Sequence, residues 1–468
     1  MNLVSSGRGF LATSLALGTL ASCARSEAER PPPTPSPSKT SGGRTLTRAS
    51  GFSGVGWSIA PVTEDAVREA IGQAELGSAA KSDVTFVYYT PQHDPSRVVA
   101  TLRGTTGRRI IGMTSHDGLL TSDGYHSSAA GVVGALAFRD DGMTTGVGGA
   151  AFTEAAHEEE AARLAYQRAV ADAGRRADEK PTMVLVAPTL RSEEKVLAAI
   201  TKEVGADVPV IGGTAAGPSK DIDLKRLKEG LQWSVIANDR VITSGVGVAV
   251  FYSSKAFGWA YGGGFQRSTT KSGVITSAEP RMIRTIDNRP ALDVYDEWVG
   301  GGLKEAMKRG ENMLVWCALH PLTRNVTGTK DGAPVIGTQF LHPHPNPDQI
   351  NEPGSLLVGA NVTVGETLNL GEGSWNILLN RFAQLPRQAK TDVKGLDPLA
   401  GLFFYCGGAL ETIPREHRGN MGYLVSQSMG KELPWLGVFS WGEQGHVAGV
   451  GNLHGNEMAS TLLFAASK

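Results

Sequence analysis

The stretch VTFVYYT at residues 84–90 decides the fold, because it is a continuous apolar run of the length of one buried strand. A helical stretch follows it, and then a second apolar run, RIIGMTS at residues 109–115. Two such strands joined through a helix are typically parallel neighbours with a covered face. The sequence therefore predicts a strand–helix–strand unit here.

The same unit recurs twice further along the chain. The second copy consists of MVLVAPT (183–189), a helix from Ser192 to Val204 and VIGGT (210–214), and the third of GLFFYCG (401–407), a helix near 420–429 and WLGVFS (435–440). A glycine or another small residue stands where the second strand of each copy ends. Open α/β sheets bind ligands beyond the carboxyl ends of their strands, so Gly112, Gly212 and Gly437 mark the expected position of a pocket.

Other segments alternate in hydrophobicity and lie close together. WSVIA (233–237) and VITSG (241–245) flank an Asn238–Asp239 turn, which predicts a hairpin, and an apolar strand follows at 246–252. Parallel and antiparallel pairing therefore occur together. We predict an α/β fold with mixed sheets flanked by helices in two packed subdomains, for which a four-layer αββα arrangement is one solution.

The first fifty residues predict a secretion signal, followed by a lipid anchor and a spacer. Arg8 precedes an apolar stretch from Phe10 to Leu20, which is too short to span a bilayer, and LASC (20–23) resembles a bacterial lipobox whose Cys23 is acylated. A proline-rich spacer, RPPPTPSPS (30–38), comes soon after. We expect an exported lipoprotein in the cell envelope, anchored to a membrane by lipid on Cys23, at the outer membrane or the periplasmic side of a membrane; a buried or frayed N-terminal helix is the alternative.

Composition excludes some classes of partner. The net charge is −1 over 468 residues, with no basic stripe, so nucleic acid is not expected. Three cysteines cannot form a disulfide framework, and Cys317 and Cys406 are either bridged or free. The expected organisation is a signal peptide at 1–22, a linker at 23–50, and two domains at 51–284 and 285–468.

Several segments together resemble the FIST family. IGMTSHDG (111–118) and VIGGTA (210–215) resemble turns of the N-terminal FIST region. FGW (257–259), GVITSA (273–278) and DNRPALDVY (287–295) resemble other motifs of the family, and FYC (404–406) and GVFSWGE (437–443) resemble the C-terminal FIST region. The resemblance covers about residues 52 to 460. It implies a sensory module that binds a small ligand, with amino acids as the proposed ligands and haem in some members. Two departures are the absence of a kinase, cyclase or chemoreceptor module and the expected export, since FIST modules are usually cytoplasmic. The arginine that often follows the family cysteine is also not evident, since GGALE (407–411) follows Cys406.

An amino acid needs a carboxylate for its ammonium group and donors for its carboxylate. Glu443 and Asn452 suit the first requirement, and the backbone N–H groups of Gly212, Gly213 and Thr214 suit the second. The remaining predicted ligand-binding residues are Gly112, Thr114, Ser115, Trp259 and Cys406. Ordinary packing is the alternative for each: a hydrogen-bonded loop for Glu443 and Asn452, and a hydrophobic core for Trp259.

Two other functions use different residues. Cys406 with His446 or His454 would give a hydrolase or transferase, although cysteine is also a common buried residue. A metal or haem site would use His320, His342, His344, His446 or His454. The alternative interpretation of HPHP (342–345) is a surface loop whose conformation the prolines fix. We predict no catalytic residue, resident metal or cofactor. The favoured function is envelope small-ligand binding, with signalling through a separate protein.

Overall fold

The computed structural model describes residues 39–76, 78, 81–107, 109–190, 192–217, 233–311, 313–345, 354–391, 395 and 397–465. The predicted signal peptide, its Cys23 and the proline-rich stretch at 30–38 lie outside these residues.

The described strands, in chain order, are β1 (Ser41–Arg48), β2 (Gly51–Ser58), β3 (Val84–Tyr89), β4 (Ile110–Thr114), β5 (Leu119–Thr121), β6 (Gly124–His126), β7 (Val133–Asp140), β8 (Met143–Ala151), β9 (Met183–Pro188), β10 (Val210–Gly213), β11 (Val235–Ala237), β12 (Arg240–Ile242), β13 (Gly245–Ser253), β14 (Gly258–Gly263), β15 (Gln266–Glu279), β16 (Met282–Ile286), β17 (Arg289–Pro290), β18 (Leu322–Lys330), β19 (Ala333–Leu341), β20 (Pro343–His344), β21 (Leu356–Val358), β22 (Thr367–Glu372), β23 (Pro398–Cys406), β24 (Trp435–Ser440), β25 (Glu443–Val447), β26 (Gly451–Gly455) and β27 (Met458–Ala465).

The described helices are α1 (Thr63–Ala74), α2 (Pro95–Thr105), α3 (Glu158–Asp172), α4 (Glu193–Val204), α5 (Ala291–Trp298), α6 (Leu303–Lys308), α7 (Met313–Ala318), α8 (Trp375–Thr391), α9 (Gly407–Thr412) and α10 (Arg415–Met429). Local chemistry explains where they start. The Asp94 carboxylate accepts hydrogen bonds from the backbone N–H groups of Ser96 and Arg97, and Pro95 occupies the first turn, so α2 begins with a capped end.

All three predicted strand–helix–strand units are confirmed. β3 pairs with β4, β9 with β10 and β23 with β24, each in parallel. The predicted hairpin is also confirmed, because β11 and β12 pair antiparallel across the Asn238–Asp239 turn, where Asn238 has a φ of 54°.

Four sheets contain these strands. Sheet I has the order β1-β2-β7-β3-β4-β11-β12, sheet II β26-β25-β10-β9-β13-β8, sheet III β14-β27-β23-β24-β5-β6, and sheet IV β19-β18-β22-β15-β16-β21-β20 with β17 on β16. Parallel and antiparallel pairs occur within sheets I, II and III, as the predicted mixed α/β class requires. Sheet III joins strands that are more than 300 residues apart, since β5 pairs with β24.

Helices cover the outer faces of sheets I to III, and the inner faces share one core. α1 and α2 pack on sheet I, α3 and α4 on sheet II, and α8 to α10 on sheet III. In the shared core, the Phe464 ring lies 5.6 Å from Phe86 of sheet I and 5.4 Å from Phe251 of sheet II. Sheet IV packs separately against α5, α6 and α7. Layered helices and sheets therefore surround a core of interdigitating aromatic rings.

One boundary differs from the sequence analysis. Ser41–Arg48, which the sequence analysis assigns to the linker, forms β1 and pairs along its whole length with β2. Arg44 and Arg48 also form ion pairs with Asp123 and Asp397. The folded part therefore begins before Gly51.

Candidate functional site

The glycine-ended strands of the predicted site do meet. The Trp441 N–H donates to the Thr214 carbonyl at 3.1 Å, and the Thr214 N–H donates to the Gly442 carbonyl at 2.8 Å. The Phe439 N–H donates to the Ser115 hydroxyl at 3.0 Å, so the ends of β4, β10 and β24 lie side by side.

The glycines at this junction allow close backbone packing. A Cβ atom on Gly112 would lie 2.0 Å from the Val87 carbonyl oxygen, and one on Gly212 would lie 1.8 Å from the Val186 carbonyl oxygen. A Cβ atom on Gly213 would lie within 3.0 Å of the side chains of Phe404, Ser440 and Met113. Packing therefore requires these glycines whether or not their N–H groups also face a ligand, and the Thr214 N–H is already bonded to protein.

Thr114 and Ser115 are also engaged at this junction. The Thr114 hydroxyl accepts a hydrogen bond from the Ser234 N–H at 3.1 Å, and the Ser115 hydroxyl donates to the Gly118 carbonyl at 2.6 Å. Both side chains are buried, so they fix the loop that leaves β4.

A buried acidic cluster lies beside the junction and consists of Cys406, Glu443 and Glu457 with His342. The Glu443 carboxyl accepts from the Ser440 hydroxyl at 2.8 Å and from the Met458 N–H at 3.1 Å. One oxygen of Glu457 lies 2.9 Å from His342 Nδ1, while the other is buried and has no partner among the described residues. Glu457 also has a φ of 53°, in the short turn where the chain crosses from sheet II to sheet III. A glutamate with a left-handed backbone conformation and a buried carboxyl oxygen without a hydrogen-bond partner lowers the stability of the fold, and such strain is typical of functional positions.

Burial controls the protonation of this cluster. It raises the pKa of Glu457 to about 8, and, together with the Glu457 carboxyl, raises the pKa of Glu443 well above its ordinary value. Burial and the two nearby carboxyl groups also raise the pKa of the Cys406 thiol. At neutral pH the thiol therefore stays protonated.

This protonation state bears on the hydrolase alternative. A cysteine nucleophile acts as a thiolate next to a base, whereas Cys406 contacts the Glu457 carboxyl and neither His446 nor His454. Cys317 and Cys406 are both free and buried. The arrangement does not favour nucleophilic catalysis by Cys406.

The histidines take part in different hydrogen bonds. The His320 Nδ1 lies 2.7 Å from the Trp316 carbonyl, and the His446 Nδ1 lies 2.9 Å from the Asn452 side-chain oxygen. The surface loop predicted for residues 342–345 is wrong, because His342 is only 4% exposed and its ring centroid lies 4.6 Å from that of His344 in β20, with the two rings tilted by 57°. The contact between His342 and the Glu457 carboxyl lies in the same buried region.

Trp259 and Asn452 lie away from the acidic cluster. The partly buried Trp259 packs edge-on against His446, with ring centroids 5.9 Å apart. The Asn452 amide accepts from the Val210 N–H at 2.9 Å and donates to the Val208 carbonyl and the Thr201 hydroxyl, each at 3.1 Å. Asn452 thus ties β26 to β10 and α4. It lies three ladder positions from Glu443 on the β25–β26 pair, so the two do not form one ammonium site.

Asn452 instead borders a cleft of about 790 Å³ between α4 and the strands β15, β18, β19, β22 and β26. The charged residues of its wall are Glu194, Arg267, Arg324 and Glu366, its neutral polar residues include Thr201, Asn325, Gln339, Thr367 and Asn369, and its apolar surface comes from Leu197, Ala198, Val326 and Leu453. A concave site of this volume with a few polar groups of fixed geometry is typical of small-ligand binding.

Hydrogen bonds fix three of the four charged side chains. Arg324 donates to Glu366 at 2.8 Å, to the Gln339 side chain at 2.9 Å and to the Asn361 carbonyl at 2.7 Å. The Asn361 N–H in turn donates to Glu194 at 2.6 Å. This wall of the cleft is therefore rigid before any ligand arrives.

The cleft is bordered by an ionic group of Glu193, Glu194, His454 and Arg281. The ligand atoms of Glu193, Glu194 and His454 lie within 4.8 Å of one another, a spacing that suits a metal ion. The Arg281 guanidinium forms ion pairs with both carboxylates, and its Nη2 lies 2.7 Å from the Glu193 Oε2. The His454 Nδ1 faces the Gln444 amide nitrogen at 3.1 Å, and its Nε2 faces the Gly359 carbonyl at 3.3 Å. Protein contacts thus occupy both carboxylates and both His454 ring nitrogens, while the buried Arg281 Nε has no hydrogen-bond partner among the described residues.

Sequence reasoning did not find this cleft. Its wall draws residues from positions between 194 and 454, from six different elements and the residues next to them, and no short motif connects them. Glu457 is not among the residues that the sequence analysis predicts for the site, because its burial and its contact with Cys406 depend on the crossing between sheets.

The fold and the cleft together define an α/β ligand-binding protein with an N-terminal part, which supplies α4, and a C-terminal part, which supplies β18, β19 and β22. The chain belongs to the FIST family: the FIST N domain matches residues 83–289 and the FIST C domain matches residues 291–446. FIST domains are generally sensory domains that bind small ligands and act in signal transduction. No curated protein matches the chain significantly.

Two solved structures of cyanuric acid hydrolases share a distant likeness. One, from A. caulinodans, is 12% identical with a TM-score of 0.26, and the other is 10% identical with a TM-score of 0.30. Each alignment covers 91% of this chain and 99% of the other. Likenesses at these TM-scores carry no argument about function.

Among the described helices, none combines the length and the apolar character needed to cross a membrane.

Proposed function

We propose that this protein is a sensor that binds an amino acid or a similar polar metabolite in the cleft between α4 and sheet IV. The observation that carries the proposal is the wall of the cleft, where charged groups of both signs stand beside an apolar surface. An amino acid presents both charges and an organic side chain, and it needs a partner for each.

The position of the cleft also supports a sensory role. Glu194, Leu197 and Thr201 lie within the FIST N match, while Arg324, Gln339 and Glu366 lie within the FIST C match. A ligand that touches both parts favours one relative arrangement of them through its differential affinity. We infer that this arrangement is read by a separate signalling protein.

A ligand panel with a blocked cleft tests the proposal. Thermal unfolding is followed with each of the common amino acids, and a ligand at 100-fold excess over its dissociation constant is expected to add about 2.7 kcal/mol of stability. Ala198 is exposed on the cleft side of α4, so Ala198→Trp should fill the cleft and abolish the shift. Ala171→Trp, at an exposed position of α3, is the matched control and should keep the shift.

The proposal fails if neither the amino acids of the panel nor related zwitterionic metabolites, such as ω-amino acids and short peptides, shift the unfolding temperature. It fails equally if Ala198→Trp responds to the ligand as the native protein does.

The cellular location is part of the same proposal. We infer that Cys23 carries the lipid and that the sensor is held in the cell envelope, on the basis of the lipobox-like LASC and the proline-rich spacer. Metabolic labelling with an alkyne fatty acid should mark the native protein and not Cys23→Ser, which should move from the membrane to the soluble fraction. Unlabelled native protein would contradict the anchor without affecting the cleft.

A further inference from the structure

One end of the cleft carries an excess of negative charge. The carboxylates of Glu193 and Glu194 share the single guanidinium of Arg281, and Glu193 is almost fully buried. Both ring nitrogens of His454 already face protein groups, the Gln444 amide nitrogen at 3.1 Å and the Gly359 carbonyl at 3.3 Å. We call Glu193, Glu194 and Arg281 the acidic pole.

A second part of the cleft carries an excess of positive charge. Arg267 lies on β15, exposed to the cleft, and no described residue pairs with it, whereas the nearby Lys271 pairs with Glu372 at 3.6 Å. Arg324 and Glu366, which also line the cleft, neutralise each other at 2.8 Å. We call Arg267 the basic pole.

Strand order sets the distance between the poles. β22 lies between β15, which carries Arg267, and β18, which carries Arg324, so the backbones of these two arginines are separated by at least about 10 Å, or two strand spacings. The Asn361 peptide joins Glu194 to Arg324, which places the acidic pole on the Arg324 side of this gap. Glu194 of the acidic pole therefore lies close to Arg324, whereas Arg267 starts from a strand two places away across β22.

An α-amino acid with an uncharged side chain carries its ammonium and carboxylate groups on one carbon atom, so it can engage only one pole well. We propose that the ligand is an extended zwitterion, with its ammonium and carboxylate at opposite ends of a chain, as in an ω-amino acid or a short peptide. The ammonium binds at Glu194, the carboxylate binds Arg267, and the chain between them lies on Leu197, Val326 and Leu453. This inference rests on the proposed cleft function and narrows its ligand class.

A homologous series measured by calorimetry on the full-length protein tests the spacing. Affinity should rise at least tenfold from glycine through 4-aminobutanoate to 6-aminohexanoate, because only the longer chain spans both poles. Hexanoate and hexylamine, which lack one charge each, should bind at least tenfold more weakly than 6-aminohexanoate. Alanyl-alanine and tri-alanine form a second arm: tighter binding of the peptides identifies peptides as the source, and tighter binding of 6-aminohexanoate identifies ω-amino acids.

Charge reversal tests which residue recognises the carboxylate. Arg267→Met should weaken 6-aminohexanoate at least tenfold and leave hexylamine unchanged. Arg267→Glu should shift preference from 6-aminohexanoate to 1,6-diaminohexane. Arg68→Met, at an exposed arginine of α1, is the matched control and should change neither affinity.

The outcomes separate the two proposals. If glycine or alanine binds as tightly as the long zwitterions and Ala198→Trp abolishes that binding, the extended ligand is wrong while the cleft sensor stands. If neither the series nor the amino-acid panel binds, both fail. If Arg267→Glu keeps the native preference, Arg267 is not the carboxylate partner.

Discussion

Replacing Glu457 with glutamine should stabilise this protein, although most changes at fully buried residues destabilise. Burial raises the pKa of Glu457 from 4.5 to about 8 in the folded state. Between these two values the unfolded chain releases a proton that the folded chain keeps, so the free energy of unfolding falls by about 1.4 kcal/mol for each pH unit. The loss accumulated at pH 7 is about 3 kcal/mol. This loss of unfolding free energy is absent below pH 4 and reaches its full size above pH 8.

Glu457→Gln removes the ionisation and keeps an oxygen that can accept from His342. The variant should gain on the native protein progressively from pH 5 to pH 8, with a difference of about 3 kcal/mol at pH 7. Urea denaturation of both proteins at four pH values measures this difference. Glu432→Gln, at a side chain that is 88% exposed, is the control and should show no such slope. A Glu457→Gln protein less stable than the native one, or a difference that does not change with pH, would refute the reasoning.

Three further perturbations test other parts of the structure. Arg281→Met should cost 3–5 kcal/mol, roughly the usual penalty for an unpaired buried charge, and adding Glu193→Gln should restore much of it in a double-mutant cycle. Gly212→Ala should abolish soluble expression because its Cβ would meet a carbonyl at 1.8 Å, whereas Gly72→Ala, in open space on α1, should raise stability by about 0.5–1 kcal/mol. The Cys406 peptide should resist alkylation by iodoacetamide in the native protein at pH 8 and react fully in urea, as followed by mass spectrometry, since rapid native labelling would show an exposed thiolate.

Local patterns were enough to predict the units of this fold. Continuous apolar runs such as 84–89 and 183–188 can only be buried strands, and the helical spacing of Val196, Leu197, Ile200 and Val204 fixes the buried face of α4. The Asn238–Asp239 turn likewise fixes its own hairpin.

The sequence could not be used to predict which strands pair when they are far apart along the chain. Nothing local indicates that β14 lies beside β27 or that β5 lies beside β24. The short turn at Glu457 carries the chain from sheet II to sheet III, and this crossing buries a glutamate that a sequence pattern would place in a solvated loop. Tertiary burial, rather than residue type, decides its chemistry.

Of the residues that the sequence analysis predicts to bind a ligand, only Asn452 borders the cleft proposed as the site. Gly212, Gly213 and Thr214 instead use their backbones in packing or in hydrogen bonds within the protein. A glycine at a strand end indicates that another group approaches the backbone closely, and a neighbouring strand satisfies that requirement as well as a ligand does. Arg267 and Glu194 carry no sequence signal, because exposed charges occur throughout the chain.

A crystal structure of the protein soaked with 6-aminohexanoate tests the central claim most directly. The account predicts ligand density in the cleft, with the amine end beside Glu194 and the carboxylate end beside Arg267. Density beside Cys406 and Glu443, or a cleft that contains only solvent at saturating ligand, would contradict it.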